Sequence, residues 1–205
     1  HSPTFGDEVR TFCMNPNGEV VQENYNGIST VNGHSYAEKT TNNTNFALLV
    51  SEKFTEPFKE PIQYGQHIAR LANMLAGGIL VQRFGDLLDG RRSTPERIKS
   101  SIIKPTLTCA TPGDLSLVIP YRQMTSIIEM LQALDKVCPG TASRYTLLYG
   151  IEVKFYSARV KLTNNLETEG VKNLFAIGDG AGVTRGLIQA SASGVHAART
   201  ICERG

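Results

Sequence analysis

Apolar positions recur with two different periods along this chain, and the switches between them mark its elements. Up to residue 56 the pattern is short and β-like. Phe12-Cys-Met14, Glu19-Val-Val-Gln22 and Ala47-Leu-Leu-Val-Ser51 read as strands bounded by turn-forming residues. Asn15-Pro-Asn-Gly18 and Asn26-Gly27 predict turns, the first suggesting a hairpin. Asn32-Gly33 predicts another turn, just ahead of His34. The polar, amide-rich stretch Thr40 to Asn45 predicts a loop.

A helical period takes over at Pro61. Tyr64, Ile68, Leu71 and Leu75 fall on one stripe, and Gly77-Gly78 stops the helix after Ala76. His67 lies at the edge of that stripe, where a partly buried surface histidine is the ordinary reading. Leu80 to Gly90 fits either period. Ser93-Thr-Pro-Glu96 predicts a helix start, with capping-box spacing and a proline in the first turn. Around it Arg91, Arg92, Arg97, Lys99 and Lys104 form the most basic stretch, which reads as a solvated face ahead of a phosphate site. Met124, Ile127, Ile128, Leu131 and Leu134 restore helical spacing up to Cys138-Pro-Gly140. Ile151, Val153 and Phe155 then alternate with Glu152, Lys154 and Tyr156. That alternation predicts a half-buried strand with an acid, a base and a phenol about 7 Å apart on its polar face. The face is either an exposed ion pair or the lining of a substrate cleft.

The stretch richest in chemistry is Thr168-Glu-Gly-Val-Lys-Asn-Leu-Phe-Ala-Ile-Gly-Asp-Gly-Ala-Gly182. Leu174 to Ile177 predict a short buried strand ended by Gly178, which puts Asp179 just past its carboxyl end, where open α/β sheets bind ligands. Gly180 and Gly182 keep side chains out of a ligand's way. Gly186 to Cys202 predicts a helix whose first amides favour an anion at the same place.

A threonine, five residues, four apolar residues and Gly-Asp, in that order, resembles the second FAD fingerprint of glutathione-reductase-type flavoproteins. Phe12-Cys-Met-Asn-Pro16, Asn32-Gly-His-Ser-Tyr36, Asn45-Phe-Ala-Leu-Leu-Val50, Gly90-Arg-Arg-Ser-Thr94 and Lys154-Phe-Tyr-Ser157 resemble an uncharacterised group of FAD-dependent dehydrogenases. The resemblance covers nearly the whole chain, but the first fingerprint, Gly-x-Gly-x-x-Gly, has no counterpart in it. It therefore implies the C-terminal part of an FAD-dependent oxidoreductase, with the rest of the flavoprotein chain as its partner. The implied fold is α/β: an α+β substrate or cap domain over residues 1–160, then over 161–205 the final strand and helix of a Rossmann-like FAD-binding domain. By position, Asp179 takes the role of binding a ribityl hydroxyl. Gly178, Gly180, Ala181, Gly182, Gly186, Leu187 and Ile188 complete the implied cofactor set. The FAD site is incomplete in this chain, and NAD or NADP is a candidate hydride partner. The catalytic residues stay open, with Cys13, His34, Glu152, Lys154 and Tyr156 as a shortlist for a small-molecule substrate. For Cys13 the ordinary alternative is a buried structural thiol.

Composition narrows the field further. The 205 residues carry a formal net charge of +2 and 40% apolar residues, which suits a sizeable core and calls for no nucleic-acid partner. Neither a membrane-spanning run nor a signal peptide is visible. The four cysteines have no metal or redox spacing, so reduced thiols in a cytoplasmic protein are expected. No histidine, cysteine and carboxylate cluster predicts a metal, and no strained Gly-x-Ser-x-Gly elbow is present. The alternatives to a flavoenzyme fragment are a nucleotide- or phosphate-binding module built on Gly178–Gly186, or an interaction domain without activity.

Overall fold

Strand β1 (Val9–Asn15) does not pair with the strand that follows it. It runs antiparallel to β4 (Asn45–Val50), while β2 (Glu19–Tyr25) and β3 (Ile28–His34) form a separate antiparallel pair. Backbone chemistry accounts for the choice. Asn26 and Gly27 both take positive φ, 51° and 77°, as the tight turns matched to strand twist require. Pro16 is held near −65° and cannot enter such a turn. Asn15-Pro-Asn-Gly18 is therefore a turn, closed by Gly18 N–H to the Asn15 carbonyl, without being a hairpin. Asn32-Gly33 is not a turn at all; it lies inside β3. A Cβ at Gly33 would overlap the side-chain amides of Asn15 and Asn45, so glycine is needed there for close approach.

The structure is a computed structural model that describes residues 1–155 and 157–204. It combines α-helices with small antiparallel and mixed sheets, an α/β protein as the alternating periods imply. The chain divides into two compact units, His1–Val153 and Lys154–Gly205.

In the first unit, α1 (Pro61–Ala76) ends at Gly77, whose φ of 69° lets its N–H reach the Asn73 carbonyl at 2.7 Å. Its buried face centres on Ala69 and Ala72, with Ile68 and Leu71 leaning on the core; Tyr64, His67 and Leu75 are exposed. Small residues let the helix approach, so the stripe is narrower and rotated from the one expected. Asn73 then fastens the β2–β3 hairpin. Its Oδ1 accepts from Ser29 N at 2.7 Å, and its Nδ2 donates to the carbonyls of Ser29 and Gly78.

The ambiguous stretch after Gly78 uses both periods in turn. It forms β5 (Leu80–Arg83) and then α2 (Phe84–Leu88). Helix α3 (Pro95–Lys99) is capped by Thr94, whose hydroxyl accepts from Arg97 N, so the cap falls one residue later than Ser93. β5 is the centre of a mixed sheet, parallel to β6 (Thr111–Pro112) and antiparallel to β7 (Leu147–Gly150). Helix α4 (Tyr121–Asp135) closes over the unit through Met124 and Leu131. These join Ala72, Leu80, Phe84, Leu87, Leu115, Val118 and Ile151 in one core.

That core contains polar groups, and two of the largest, Gln82 and Asp86, are well partnered. Gln82 is fully buried; its Oε1 accepts from Leu115 N at 2.8 Å and its Nε2 donates to the Arg91 carbonyl at 2.9 Å. Buried Asp86 accepts from Ser93 Oγ at 2.8 Å and Arg91 Nε at 3.1 Å. Arg97 lies 3.9 Å from the same carboxylate, and Arg144 reaches Asp89 at 2.5 Å. Arg91 and Arg97 of the basic stretch are thus paired with structural acids.

No strand forms over residues 151–155: β7 ends at Gly150, because four-residue β5 offers no further partner. Ile151 turns its carbonyl to Val31 N–H instead, at 3.1 Å, and its side chain enters the core.

The N-terminal residues are tied down by charge. Asp7 makes a bidentate pair with Arg122, and Glu129 accepts from the hydroxyls of Ser2 and Thr4. The Arg122 hydrogen bond holds the Asp7 carboxyl below its ordinary range, and the Ser2 and Thr4 hydrogen bonds do the same for Glu129. Groups depressed on folding stabilise above their unfolded values, and that contribution is lost as pH falls through the folded ones. Thermal stability should accordingly drop as pH is taken below about 4. Asp7→Asn should flatten that acid limb; an unchanged limb in a denaturation series would refute the assignment. Asp86→Ala should lower stability by about 2–4 kcal/mol, since it strands a buried hydroxyl and removes a charged acceptor. Urea denaturation measures this, and a loss under about 0.5 kcal/mol, typical of a surface substitution, would contradict it.

Candidate cofactor site

In the second unit the Gly-Asp-Gly-Ala-Gly run folds as a tight loop leading to helix α5 (Leu187–Arg204). The helix falls within two residues of the predicted span. Asp179 to Ala181 form a single 3₁₀ turn, with glycines on both sides in left-handed or open conformations: Gly178 at φ 73° and Gly182 at φ 67°. Ser193, buried one and a half turns into α5, accepts from Gly178 N at 3.0 Å and donates to the Ala190 carbonyl at 2.7 Å. The loop is thereby stitched to the helix it precedes.

Asp179 stands at the start of that helix, as expected. Its Oδ1 accepts from Thr184 Oγ1 at 2.6 Å and from Gly186 N at 3.2 Å. Its Oδ2 has no partner among the described residues, and the side chain is exposed. The amides of Leu187, Ile188 and Gln189 have no carbonyl four residues back within α5, so the positive end of the helix dipole lies next to the carboxylate that accepts from Gly186 N. Leu187 and Ile188 are 89% and 86% exposed, a bare apolar edge next to these polar groups.

The glycines divide into two roles. A Cβ at Gly180 would meet nothing within 4 Å, which leaves the space above the turn open. A Cβ at Gly182 would meet Arg159 Cα at 2.8 Å and the Ser157 carbonyl at 3.0 Å. Gly182 therefore makes room for the chain's own 157–160 segment, anchored by Val160 N–H to the Ala181 carbonyl at 3.2 Å. The direction a side chain would take at Gly182 is thus filled by the chain itself. Buried Ala181 packs beneath the turn, and Gly186 has open space around it.

The strand expected over Leu174–Ile177 does not form. Phe175 makes one isolated bridge with Glu167, and Thr168 N–H donates to the Leu174 carbonyl at 2.7 Å. Leu174 and Ile177 are exposed. An apolar run becomes a strand only where neighbours complete a ladder on its edges. Here its hydrogen bonds go to the adjacent 166–168 turn, which Arg204 braces by pairing with Glu167 at 2.7 Å. That guanidinium holds the Glu167 carboxyl below its ordinary range.

The shortlisted substrate-side residues fall on different elements. Cys13 is exposed rather than buried, because a bulge between Phe12 and Asn15 lifts it out of the ladder at φ 46°. His34 ends β3, exposed, its ring 4.3 Å from that of Tyr36. Glu152 is half-buried in the first unit; Lys154 is exposed in the second. No strand over residues 151–155 supplies the alternation expected of Glu152 and Lys154, and Tyr156 lies outside the described residues. Sequence reasoning missed Thr184 and saw Ser193 only as a small residue. The signal available was a hydroxyl five positions after the aspartate and another about two helical turns beyond Gly186.

Among the described residues, no group of three or more His, Cys, Asp or Glu could hold a metal ion, and no helix is long and apolar enough to cross a membrane. Residues 1–155 match the family described as FAD-dependent protein, C-terminal domain-like. An uncharacterised protein of Clostridium beijerinckii is 33% identical over 208 aligned positions, which take in 96% of this chain and 38% of that protein. The chain thus spans well under half the length of this relative.

The two glycine roles separate on substitution. Gly182→Ala should destabilise the second unit by about 1–3 kcal/mol, from positive φ and backbone overlap. Gly180→Ala should leave folding within about 0.5 kcal/mol. Hydrogen exchange along α5 reads both; equal effects would contradict the assignment.

Proposed function

The chain belongs to the FAD-dependent protein, C-terminal domain-like family, and from that premise we propose that it is the C-terminal part of an FAD-dependent oxidoreductase. The observation that carries this reading is the Asp179 carboxylate, with one oxygen held by Thr184 and Gly186 and the other without a partner among the described residues, next to the first amides of α5. A carboxylate oxygen only accepts, so it suits a ligand hydroxyl; helix amides only donate, so they suit a phosphate. A polyol joined to a pyrophosphate has both. The apolar edge of Leu187 and Ile188 suits a flat ring. FAD combines these three chemistries, and the residues present therefore fit it. When bound, FAD supplies the redox chemistry; this chain's residues bind and orient it.

The whole protein, in this reading, is a dehydrogenase acting on a small molecule, and the first unit is its substrate domain. The family description names FAD and no nicotinamide cofactor. Exposed Leu174, Ile177, Leu187 and Ile188 are then surfaces that flavin or the remainder of the flavoprotein covers. The missing Gly-x-Gly-x-x-Gly turn would come from that remainder and cradle the pyrophosphate.

In the longer flavoprotein, Asp179→Ala should leave the protein folded and weaken FAD retention by about one to two decades, the worth of a charge-assisted hydrogen bond. Flavin content after purification measures this, and unchanged content would contradict it. The 205-residue chain alone should purify colourless and bind FAD weakly, because the few contacts it holds scarcely offset the cost of association. Tight, stoichiometric FAD binding by the chain alone would overturn the incomplete-site reading. Tight NAD or NADP binding without a flavin response would favour a nucleotide-binding module instead.

A further inference from the structure

Resting on the FAD reading above, we infer that Thr184 is a positioning residue that fixes which Asp179 oxygen the cofactor meets. Asp179 is exposed, and an exposed carboxylate rotates among rotamers unless something holds it. Two donors from the chain's own backbone turn do so, both at Oδ1: the Thr184 hydroxyl at 2.6 Å and the Gly186 amide at 3.2 Å. The hydroxyl is much the shorter bond. Thr184 is half-buried and β-branched, so its χ1 is stiff and its hydroxyl is aimed before any ligand arrives. With Oδ1 engaged by both donors, Oδ2 is the oxygen left for a ligand, and a side chain at neighbouring Gly180 would meet nothing within 4 Å. The ordering entropy of the carboxylate is thus removed in advance, which raises affinity through preorganisation. Nothing in the fingerprint pattern specifies a hydroxyl at position 184; the assignment comes from the contact alone.

The test is FAD titration of the longer flavoprotein, stripped of cofactor, followed by flavin fluorescence. Thr184→Val keeps the shape and loses the donor, and should raise the FAD dissociation constant about tenfold. Thr184→Ser keeps the donor and should stay within about threefold, the difference reflecting a looser χ1. In an Asp179→Ala background, adding Thr184→Val should cost less than about twofold more, because Thr184 acts through Asp179. Three outcomes would overturn the assignment while leaving the FAD reading intact: Thr184→Val binding like wild type, Thr184→Ser falling as far as Thr184→Val, or the two losses multiplying in the double variant. A wild-type apoprotein that takes up no FAD overturns both, and is recognised before any variant is compared. Should the valine variant not fold, Thr184→Ala carries the same expectations in the same titration.

Discussion

The candidate site depends on how the start of α5 is sewn to the loop before it. Ser193 reaches back to Gly178, and Asp179 reaches forward to Thr184 and Gly186. The two ties run in opposite directions across one turn. Between them they leave the 3₁₀ turn with little freedom, although much of it is exposed to solvent. The consequence is electrostatic as well as geometric. A carboxylate at a helix N-terminus partly neutralises the dipole. Here it uses one oxygen for that purpose, while the other has no partner among the described residues and the first helical turn leaves three amides without an intrahelical carbonyl. Acceptor and donors thus sit side by side, the pairing that a hydroxyl-bearing phosphate compound requires.

The first unit solves a different problem, that of burying an amide and a carboxylate with partners for both. Gln82 lies in the central strand of a small mixed sheet and serves two loops at once, through Leu115 N–H and the Arg91 carbonyl. Asp86 gathers Ser93 and Arg91 into the same region. A buried amide or carboxylate is costly unless every partner is supplied, so such a network specifies one arrangement of its loops. The Gly90-Arg-Arg-Ser-Thr94 motif has its physical explanation here: the arginine and serine hold a buried acid and a neighbouring strand rather than a ligand.

Elements with strong local chemistry were legible in the sequence. Pro61 and Gly77 bracket α1, the Met124–Leu134 spacing lies within α4, and the small-residue run belongs to α5. Asp179 was legible as a carboxylate at a helix start. What failed was pairing. Asn15-Pro-Asn-Gly18 is a good turn that joins strands of different sheets, and neither Leu174–Ile177 nor residues 151–155 form strands, because a ladder needs a neighbour that local sequence does not name. Cys13 was misplaced for a related reason: a bulge is a property of two strands in register, and its thiol is exposed by that register. Thr184 and Asn73 were invisible because they act through turn-specific and long-range hydrogen bonds that no periodicity announces.

The central claim is that Asp179 accepts a hydrogen bond from the sugar-alcohol chain of a bound flavin. A crystal structure of the longer flavoprotein with FAD bound tests it most directly. The account predicts a flavin hydroxyl within about 2.5–3.0 Å of the Asp179 carboxylate, with the pyrophosphate on the side of the α5 amides. FAD seated elsewhere, with Asp179 turned to solvent and Thr184 still its partner, would contradict it.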